Sequence, residues 1–267
     1  MAKNYWAGEP STVTTGPSYA VWANCPWEDM LVDPSVGYCL WEDFILALED
    51  TGGWLSGGTT DYCAMLATEV GGVVRVGATA SDNDEGYLTS GNNEAGFVKI
   101  YTTTPKELWF EARVRPSSIT DVGMFCGLAE EGLAAADTLA NNTAALASKD
   151  FVGFHSDTAG PTALDCVYRK ASKTGVVPKA AAQTMVAETW YKLGMYFDGT
   201  YLKYFVDGEE EQLTSTITGV DVNKGLKVVS ATDFPDGEEL AVLIGCHDGE
   251  GAAKYVDIDW VRVAQLR

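Results

Sequence analysis

Hydrophobic and polar residues alternate along several short segments of the chain, a pattern typical of β-strands that bury one face and expose the other. In the clearest segment, ELWFEARVRP, the alternation sets Leu108, Phe110, Ala112 and Val114 against Trp109, Glu111, Arg113 and Arg115 until Pro116 ends it. The segment WYKLGMYFDGTYLKYFVDG predicts two strands joined by a tight turn at Asp198-Gly199. Further predicted strands are GGVVRVGAT, GFVKIYTT, VGMFCGLAE, DFVGFHSD, LDCVYRKA, ELAVLIGCH and YVDIDWVRV. Many short strands with almost no helical periodicity predict an all-β protein, an antiparallel β-sandwich or jelly roll.

The first 40 residues differ from the rest of the chain in composition. They are rich in Pro, Gly, Ser and Thr, yet they contain Tyr5, Trp6, Trp22 and Trp27, an aromatic content that disordered tails lack. We therefore expect an extended N-terminal arm over residues 1–40 and one sandwich domain over residues 41–267. The four aromatic side chains need a surface to lie on, and they are the predicted interface residues. That surface is either the chain's own sandwich or a neighbouring subunit.

One segment inside the predicted sandwich departs from the strand pattern. The sequence AEEGLAAADTLANNTAALASKD is rich in alanine. It predicts either a short helix or a long surface loop between strands.

The net charge of the chain argues against anionic binding partners. Its 38 acidic and 18 basic residues give a formal net charge of -20, which disfavours binding to nucleic acid or to an anionic membrane. No apolar segment has the length of a secretory signal or of a membrane span, so we expect a soluble protein that is not exported in this form. Six cysteines without a C-x-x-C pair predict buried free thiols rather than disulfides or zinc ligands.

Two carboxylates in the last predicted strand are the first candidates for chemistry. Asp257 and Asp259 stand two residues apart, so both point to one face of the strand, as the acid and nucleophile of a glycoside hydrolase would. A third carboxylate is missing, because residue 261 is Val. We expect both to be solvated or hydrogen-bonded strand positions opposite Val256, Ile258 and Trp260.

The other polar motifs give even less evidence of a metal or catalytic site. Residues 81–86, SDNDEG, offer oxygen ligands of the kind calcium prefers but match only the start of an EF-hand loop, so a solvated turn is expected. His155 and His247 belong to no known catalytic motif, although a Cys-His pair with Cys126, Cys166 or Cys246 stays open. The sequence thus predicts no catalytic residue, no metal site and no cofactor.

The segments LWFEARVRPSS, VGMFCGLAEEG, DFVGFHSD, WYKLGMYFDGTYLKYFVDGEE and YVDIDWVRVAQLR together resemble the concanavalin A-like, or laminin G-like, β-sandwich proteins encoded among tailed-phage virion genes. The resemblance covers residues 41–267. VDIDWVRV is also similar to the last strand of laminarinase-type glucanases. Those enzymes carry E-x-D-x-x-E on a central strand, and here no Glu is followed by Asp two positions later. The resemblance therefore implies the fold and a virion setting but not catalysis.

Three functions follow as expectations. The first is a non-enzymatic virion protein, a capsid decoration or cement protein that is assembled in the host cytoplasm, binds capsid or other virion proteins and forms a homo-oligomer. The alternative is a glycan-binding module of a phage tail or head fibre, which exposed Trp and Tyr side chains clustered on a concave sheet face would favour. A degenerate glycoside hydrolase is the remote alternative.

Overall fold

The computed structural model describes residues 15–45, 53–58, 61–69, 71–91, 96–130, 138–139, 145–158 and 160–267. These residues form two antiparallel sheets packed face to face, which confirms the predicted β-sandwich. Among the described residues, α-helix occurs at α1 (Tyr19–Trp22) and α2 (Trp27–Val32), and Val228–Ser230 form a 3-10 turn. Neither of these helices has the length or the apolar character needed to cross a bilayer.

Sheet A contains the first and last described strands of the chain. Its strands lie in the order β15 (Val220–Asp221), β16 (Gly225–Lys227), β13 (Tyr201–Val206), β12 (Tyr191–Phe197), β7 (Leu108–Pro116), β18 (Lys254–Leu266), β4 (Val74–Ala78) and β3 (Asp61–Met65), with β1 (Gly37–Glu42) on β18 and β14 (Glu209–Glu210) on β13. One edge of β18 pairs with β7, while β4 and β1 share the other edge. The last strand therefore lies inside the sheet.

Sheet B packs over the inner face of sheet A. Its strands lie in the order β11 (Val176–Thr184), β10 (Ala163–Arg169), β9 (Phe151–Ser156), β8 (Val122–Glu130), β17 (Glu239–Asp248), β5 (Glu85–Ser90) and β2 (Trp54–Gly58), with β6 (Val98–Lys99) on β17. The exposed edge strand β11 carries Pro178, and Ala181 has a positive φ of 48°. These features interrupt an edge that could otherwise pair with another chain.

The main core fills the space between the two sheets. Alternate residues of β7 supply Phe110, Ala112 and Val114, and β17 supplies Val242 and Ile244. The predicted inner face of β7 is thus confirmed. Its other face differs from the expected wet face, because Trp109 and Glu111 are fully buried there.

The outer face of sheet B is also covered in part. Tyr87, Phe125 and Phe151 form a second cluster beneath Leu139 and Leu146. Leu139 and Leu146 pair with each other in an isolated bridge, so the described parts of the alanine-rich segment lie as a loop on the sheet. The carboxylate of Glu85 accepts hydrogen bonds from the backbone N–H groups of residues 138 and 139 at 2.7 and 2.9 Å.

The described part of the predicted arm, residues 15–36, is not extended but contains the two short helices. Val21, Trp22 and Met30 pack with Trp109 and Phe205 in a third cluster on the outer face of sheet A. A row of apolar side chains on that face explains the difference, because it gives a short helix a surface to bury against. The predicted boundary at residue 40 falls inside β1, whose pairing with β18 makes residues from 37 onward part of the sandwich.

Candidate functional site

Among the described residues, the outer face of sheet A has one half covered by the arm and one half left open. The arm covers the half that carries Trp109, Glu111 and Phe205. The open half carries aromatic, arginine and aspartate side chains. We call it the aromatic–arginine surface and define it by Tyr62, Arg75, Arg113, Arg115, Trp190, Tyr255, Asp257 and Asp259.

Asp257 lies at the centre of this surface and is bound by two arginines. Its Oδ1 accepts from Nε of Arg75 at 2.6 Å, and its Oδ2 accepts from Nη2 of Arg75 at 3.0 Å. Oδ2 also accepts from Nε and Nη2 of Arg115 at 3.0 and 2.6 Å. The side chain of Asp257 is only 1% exposed. It is therefore a hydrogen-bonded strand position, one of the two roles expected from the sequence.

Asp259 occupies a β-bulge that the alternating pattern did not predict. The register of β18 against β7 shifts between Ile258 and Trp260. Because of this shift Trp260 lies on the outer face beside Asp259, and not on the opposite face as expected. Asp259 accepts a hydrogen bond from Arg113. The two aspartates do share one face, but each is paired with arginine.

Trp190 stands between β11 and β12 and contacts the two arginines of β7. The guanidinium carbons of Arg113 and Arg115 lie 4.4 and 4.6 Å from its ring centroid. Such cation–π contacts hold both the ring and the guanidinium groups in place. Arg115 also binds Glu69 at 3.1 Å.

A tyrosine pair forms the other end of the surface. The ring centroids of Tyr62 and Tyr255 are 5.3 Å apart, and the guanidinium of Arg75 lies 5.1 Å from the Tyr255 ring. Gly77 separates the two tyrosines in the sheet. A Cβ at residue 77 would lie 2.1 Å from the carbonyl oxygen of Lys254, so this close packing requires glycine.

A groove of about 570 Å³ runs beside these residues. Its lining includes Thr15, Gly16 and Pro17 of the arm together with Glu69, Trp190, Asp259 and Trp260. A second, smaller depression of about 380 Å³ shares Arg113 and Trp190 with the groove and is also lined by Lys192 and Asp207. Aromatic rings and fixed polar groups thus converge on one concave region, as they do at small-molecule sites.

The cysteines and histidines are not brought together. Cys126, Cys166 and Cys246 point into the main core, where burial raises the pKa of each thiol, that of Cys246 to about 12. His155 and His247 alternate with core residues and point to the outer face of sheet B. All six cysteines are free thiols. The Cys-His pair left open by the sequence is therefore not formed.

Two carboxylates of the acidic turn SDNDEG accept hydrogen bonds from other parts of the chain. Asp84 accepts from Thr79 Oγ1 at 2.9 Å, and Glu85 binds the loop over sheet B. Within the described ranges no group of three His, Cys, Asp or Glu side chains is placed to hold a metal ion.

Two of the four predicted interface residues can be located. Trp22 is 2% exposed, and its Nε1 donates to Glu111 at 2.7 Å. Trp27 is half-buried, with its ring centroid 5.3 Å from that of Trp41. Both pack on the chain's own sandwich. Tyr5 and Trp6 lie outside the described residues.

Sequence reasoning missed Tyr62, Arg75, Trp190 and Tyr255 as site residues. None belongs to a catalytic or metal-binding motif, although Trp190 and Tyr255 lie in segments that carry the resemblance. They come from separate strands and from the segment before β12. The sequence feature that could have indicated this surface is the pair Arg113 and Arg115 on the polar side of one strand. Two arginines on one sheet face need carboxylate or aromatic partners nearby.

No family model matches the sequence, and no curated protein matches it either. Several solved structures share its fold. Peanut lectin in complex with a nine-residue peptide superposes with a TM-score of 0.56 at 12% identity, covering 86% of this chain and 98% of the lectin. A protein of unknown function from Shewanella oneidensis MR-1 gives a TM-score of 0.55 at 13% identity, with 87% of each chain covered.

A prokaryotic β-1,3-1,4-glucanase, a lichenase from a mouse hindgut metagenome, gives a TM-score of 0.52 at 12% identity, covering 84% of this chain and 98% of the enzyme. Identities this low establish the fold alone, and the phage virion context stays a prediction. The chain has the concanavalin A-like jelly-roll β-sandwich fold found in lectins and glucanases.

Proposed function

We propose that this chain is a non-enzymatic glycan-binding β-sandwich whose binding site is the aromatic–arginine surface with its groove. The observation that carries the proposal is the row of Tyr62, Tyr255 and Trp190 interleaved with arginines and aspartates on an open sheet face. A sugar ring has an apolar face of C–H groups and an edge of hydroxyls. Aromatic rings match the first, and bidentate charged groups match the second.

The mutual pairing of the polar groups supports this function. Arg75, Arg115 and Asp257 fix one another, and Trp190 holds Arg113 and Arg115. Side chains that are already ordered lose little conformational entropy when a ligand arrives, so more of the interaction energy appears as affinity. Guanidinium groups have five N–H donors, and pairing leaves some of them for hydroxyl oxygens.

The same pairing favours binding over hydrolysis. A glycosidase needs one carboxyl group that holds a proton and a second that acts as nucleophile or base. Hydrogen bonds from guanidinium groups instead occupy the carboxylate oxygens that either role would need. Asp257 has both oxygens engaged by arginines, and Asp259 is bound to Arg113. Lectins and glucanases share the fold, and this arrangement of charges supports the lectin-like use of it.

The balance of charge on the surface points to a neutral glycan. Three arginines face Asp257, Asp259, Glu69 and Glu188, so the surface has no excess of positive charge, while the whole chain carries -20. An acidic polysaccharide would be repelled. The capsid decoration role expected first from the sequence has no support in the comparisons and stays a prediction.

The first test is binding to an array of neutral and acidic glycans that includes β-1,3-1,4-glucan, the polymer that the lichenase neighbour's name gives as its substrate. We expect binding to neutral glycans and a loss of affinity of about tenfold or more in Trp190→Ala, since aromatic anchors carry more than about 1 kcal/mol each.

Tyr201→Ala is the matched control, because Tyr201 also lies near a cation, with Lys224 Nζ 5.6 Å from its ring, but outside the surface. Equal binding by the wild type and Trp190→Ala would contradict the proposed site. Absence of binding across the array would contradict the function.

A further inference from the structure

The arm builds one wall of the groove. Trp260 Nε1 donates to the carbonyl oxygen of Thr15 at 2.8 Å, and Lys192 Nζ donates to the carbonyl oxygen of Gly16 at 3.3 Å. Thr15, Gly16 and Pro17 line the groove. The shape of the groove therefore depends on whether the arm is docked on sheet A.

A fully buried carboxylate lies beneath the arm immediately beyond these residues. Glu111 has 0% exposure, and its Oε2 accepts from the backbone N–H of Ser18 at 2.9 Å and from Trp22 Nε1 at 2.7 Å. Its Oε1 has no hydrogen-bond partner among the described residues. Both hydrogen bonds come from the arm. If the arm undocks, the carboxylate of Glu111 therefore becomes exposed to water.

The sheet leaves space for the arm at two glycines. A Cβ at Gly194 would lie 2.8 Å from Cγ2 of Val21, and one at Gly208 would lie 3.1 Å from Oγ of Ser18. Gly208 also has a positive φ of 86°, which strains any other residue. The arm therefore packs against two positions of the sheet where glycine leaves room for its side chains.

The charged groups around Glu111 do little to offset its burial. Lys192 on β12 is the cation whose charge acts on it, but its Nζ binds Gly16. Arg262 on β18 donates to the backbone carbonyl oxygen of Glu42 and to the carboxylate of Asp43. The carboxylate of Glu42 on β1 accepts from Trp54 Nε1 and from the N–H of Phe44. Helix α1 carries no charged residue. Burial therefore raises the pKa of Glu111 above 4.5, against the opposing effects of the Ser18 and Trp22 hydrogen bonds and of Lys192.

We propose that residues 15–22 form a pH-dependent wall of the groove, docking over protonated Glu111 and loosening when this carboxyl group loses its proton to solvent. The docking of the arm is inferred from the contacts described above. Its effect on ligand binding rests on the proposed function of the groove.

The direction of the pH effect follows from proton linkage. Glu111 binds its proton more tightly when the arm is docked than when the arm is undocked. Docking is therefore strongest below about pH 4.5, and it weakens as the pH rises through the raised pKa of Glu111. One coupled proton changes the opening equilibrium by at most about tenfold per pH unit.

Hydrogen–deuterium exchange of the full chain without any glycan tests this inference. After correction for intrinsic exchange rates, we expect the protection of residues 18–25 to fall as the pH rises from 5 to 8. Glu111→Gln keeps an acceptor for Ser18 and Trp22 but cannot ionise, so its protection should not change over this range. Gly194→Ala should lower that protection at every pH, because its Cβ would lie 2.8 Å from Cγ2 of Val21 but 3.5 Å, an ordinary contact distance, from Cγ of Glu111.

Constant protection of this segment in the wild type, or the same pH dependence in Glu111→Gln, would overturn the inference. Because the experiment contains no glycan, its failure is distinct from failure of the glycan array, which would overturn the proposed function.

Discussion

Asp257 is held by Arg75 and Arg115, and this pairing gives it a structural role on the open face of sheet A. Four hydrogen bonds of 2.6 to 3.0 Å engage its two oxygens. The arginine side chains are 26% and 15% exposed, but the aspartate is 1% exposed. Asp257 therefore keeps two neighbouring positive charges together and fixes their orientation.

We predict that Asp257→Asn lowers the free energy of unfolding by about 2–4 kcal/mol, because removing one partner of a buried ion pair leaves the arginine charges uncompensated. Asp259→Asn is the matched change. Its side chain is 17% exposed and bonds to Arg113, so a loss of about 1 kcal/mol or less is expected. Urea unfolding of both variants measures the difference, and equal stabilities would argue against a central role for Asp257.

Residues of the site differ in how far the sequence predicts them. Alternation in β7 predicts that Arg113 and Arg115 share a face, because strand geometry is local. It cannot predict that Glu111 on that face is buried, since its partners Ser18 and Trp22 are 93 and 89 positions away. Trp260 was placed on the wrong face because a bulge breaks the period of two, and no local sequence signal marks that bulge.

At the scale of elements, α1 and α2 depend on the sheet beneath them. Helices of four and six residues are unstable alone, because nucleation costs more than so few hydrogen bonds return. Their stability comes from Val21, Trp22 and Met30 packed on Trp109 and Phe205. The strand alternation predicted the sandwich that carries them, but the conformation of the arm depends on this tertiary contact.

We predict that deleting residues 1–34 leaves a folded sandwich with a free energy of unfolding lower by on the order of 3 kcal/mol. Each large apolar side chain contributes about 1.5–3 kcal/mol on burial, and the entropy of ordering the arm offsets part of the sum. Circular dichroism during urea unfolding measures the loss. The variant should also bind a hydrophobic dye at newly exposed Trp109 and Phe205.

Deleting residues 1–42 is the contrasting change, because it removes β1. The six residues of β18 from Val261 to Leu266 that pair with β1 would become an open edge, so we expect this variant to aggregate. If both deletions behaved alike, the sandwich would not begin at β1.

At the scale of the whole molecule, charge is distributed unevenly. The chain carries -20 overall, yet the aromatic–arginine surface gathers three of its arginines against carboxylates. A strongly acidic chain repels anionic polymers, and the local balance of charge agrees with the neutral ligand proposed above. The predicted homo-oligomer and the predicted virion location concern contacts with other chains, and both stay predictions.

Under the proposed function, a neutral glycan binds the open face of sheet A. The most direct measurement is fluorine NMR of protein labelled with 5-fluorotryptophan, titrated with a neutral glycan that binds on the array. The chain has eight tryptophans, and Trp-to-Phe variants assign their resonances. We predict that Trp190 and Trp260 shift in proportion to saturation, while Trp54 at the edge of sheet B does not. Saturation that leaves the Trp190 and Trp260 resonances unchanged would contradict binding at this face.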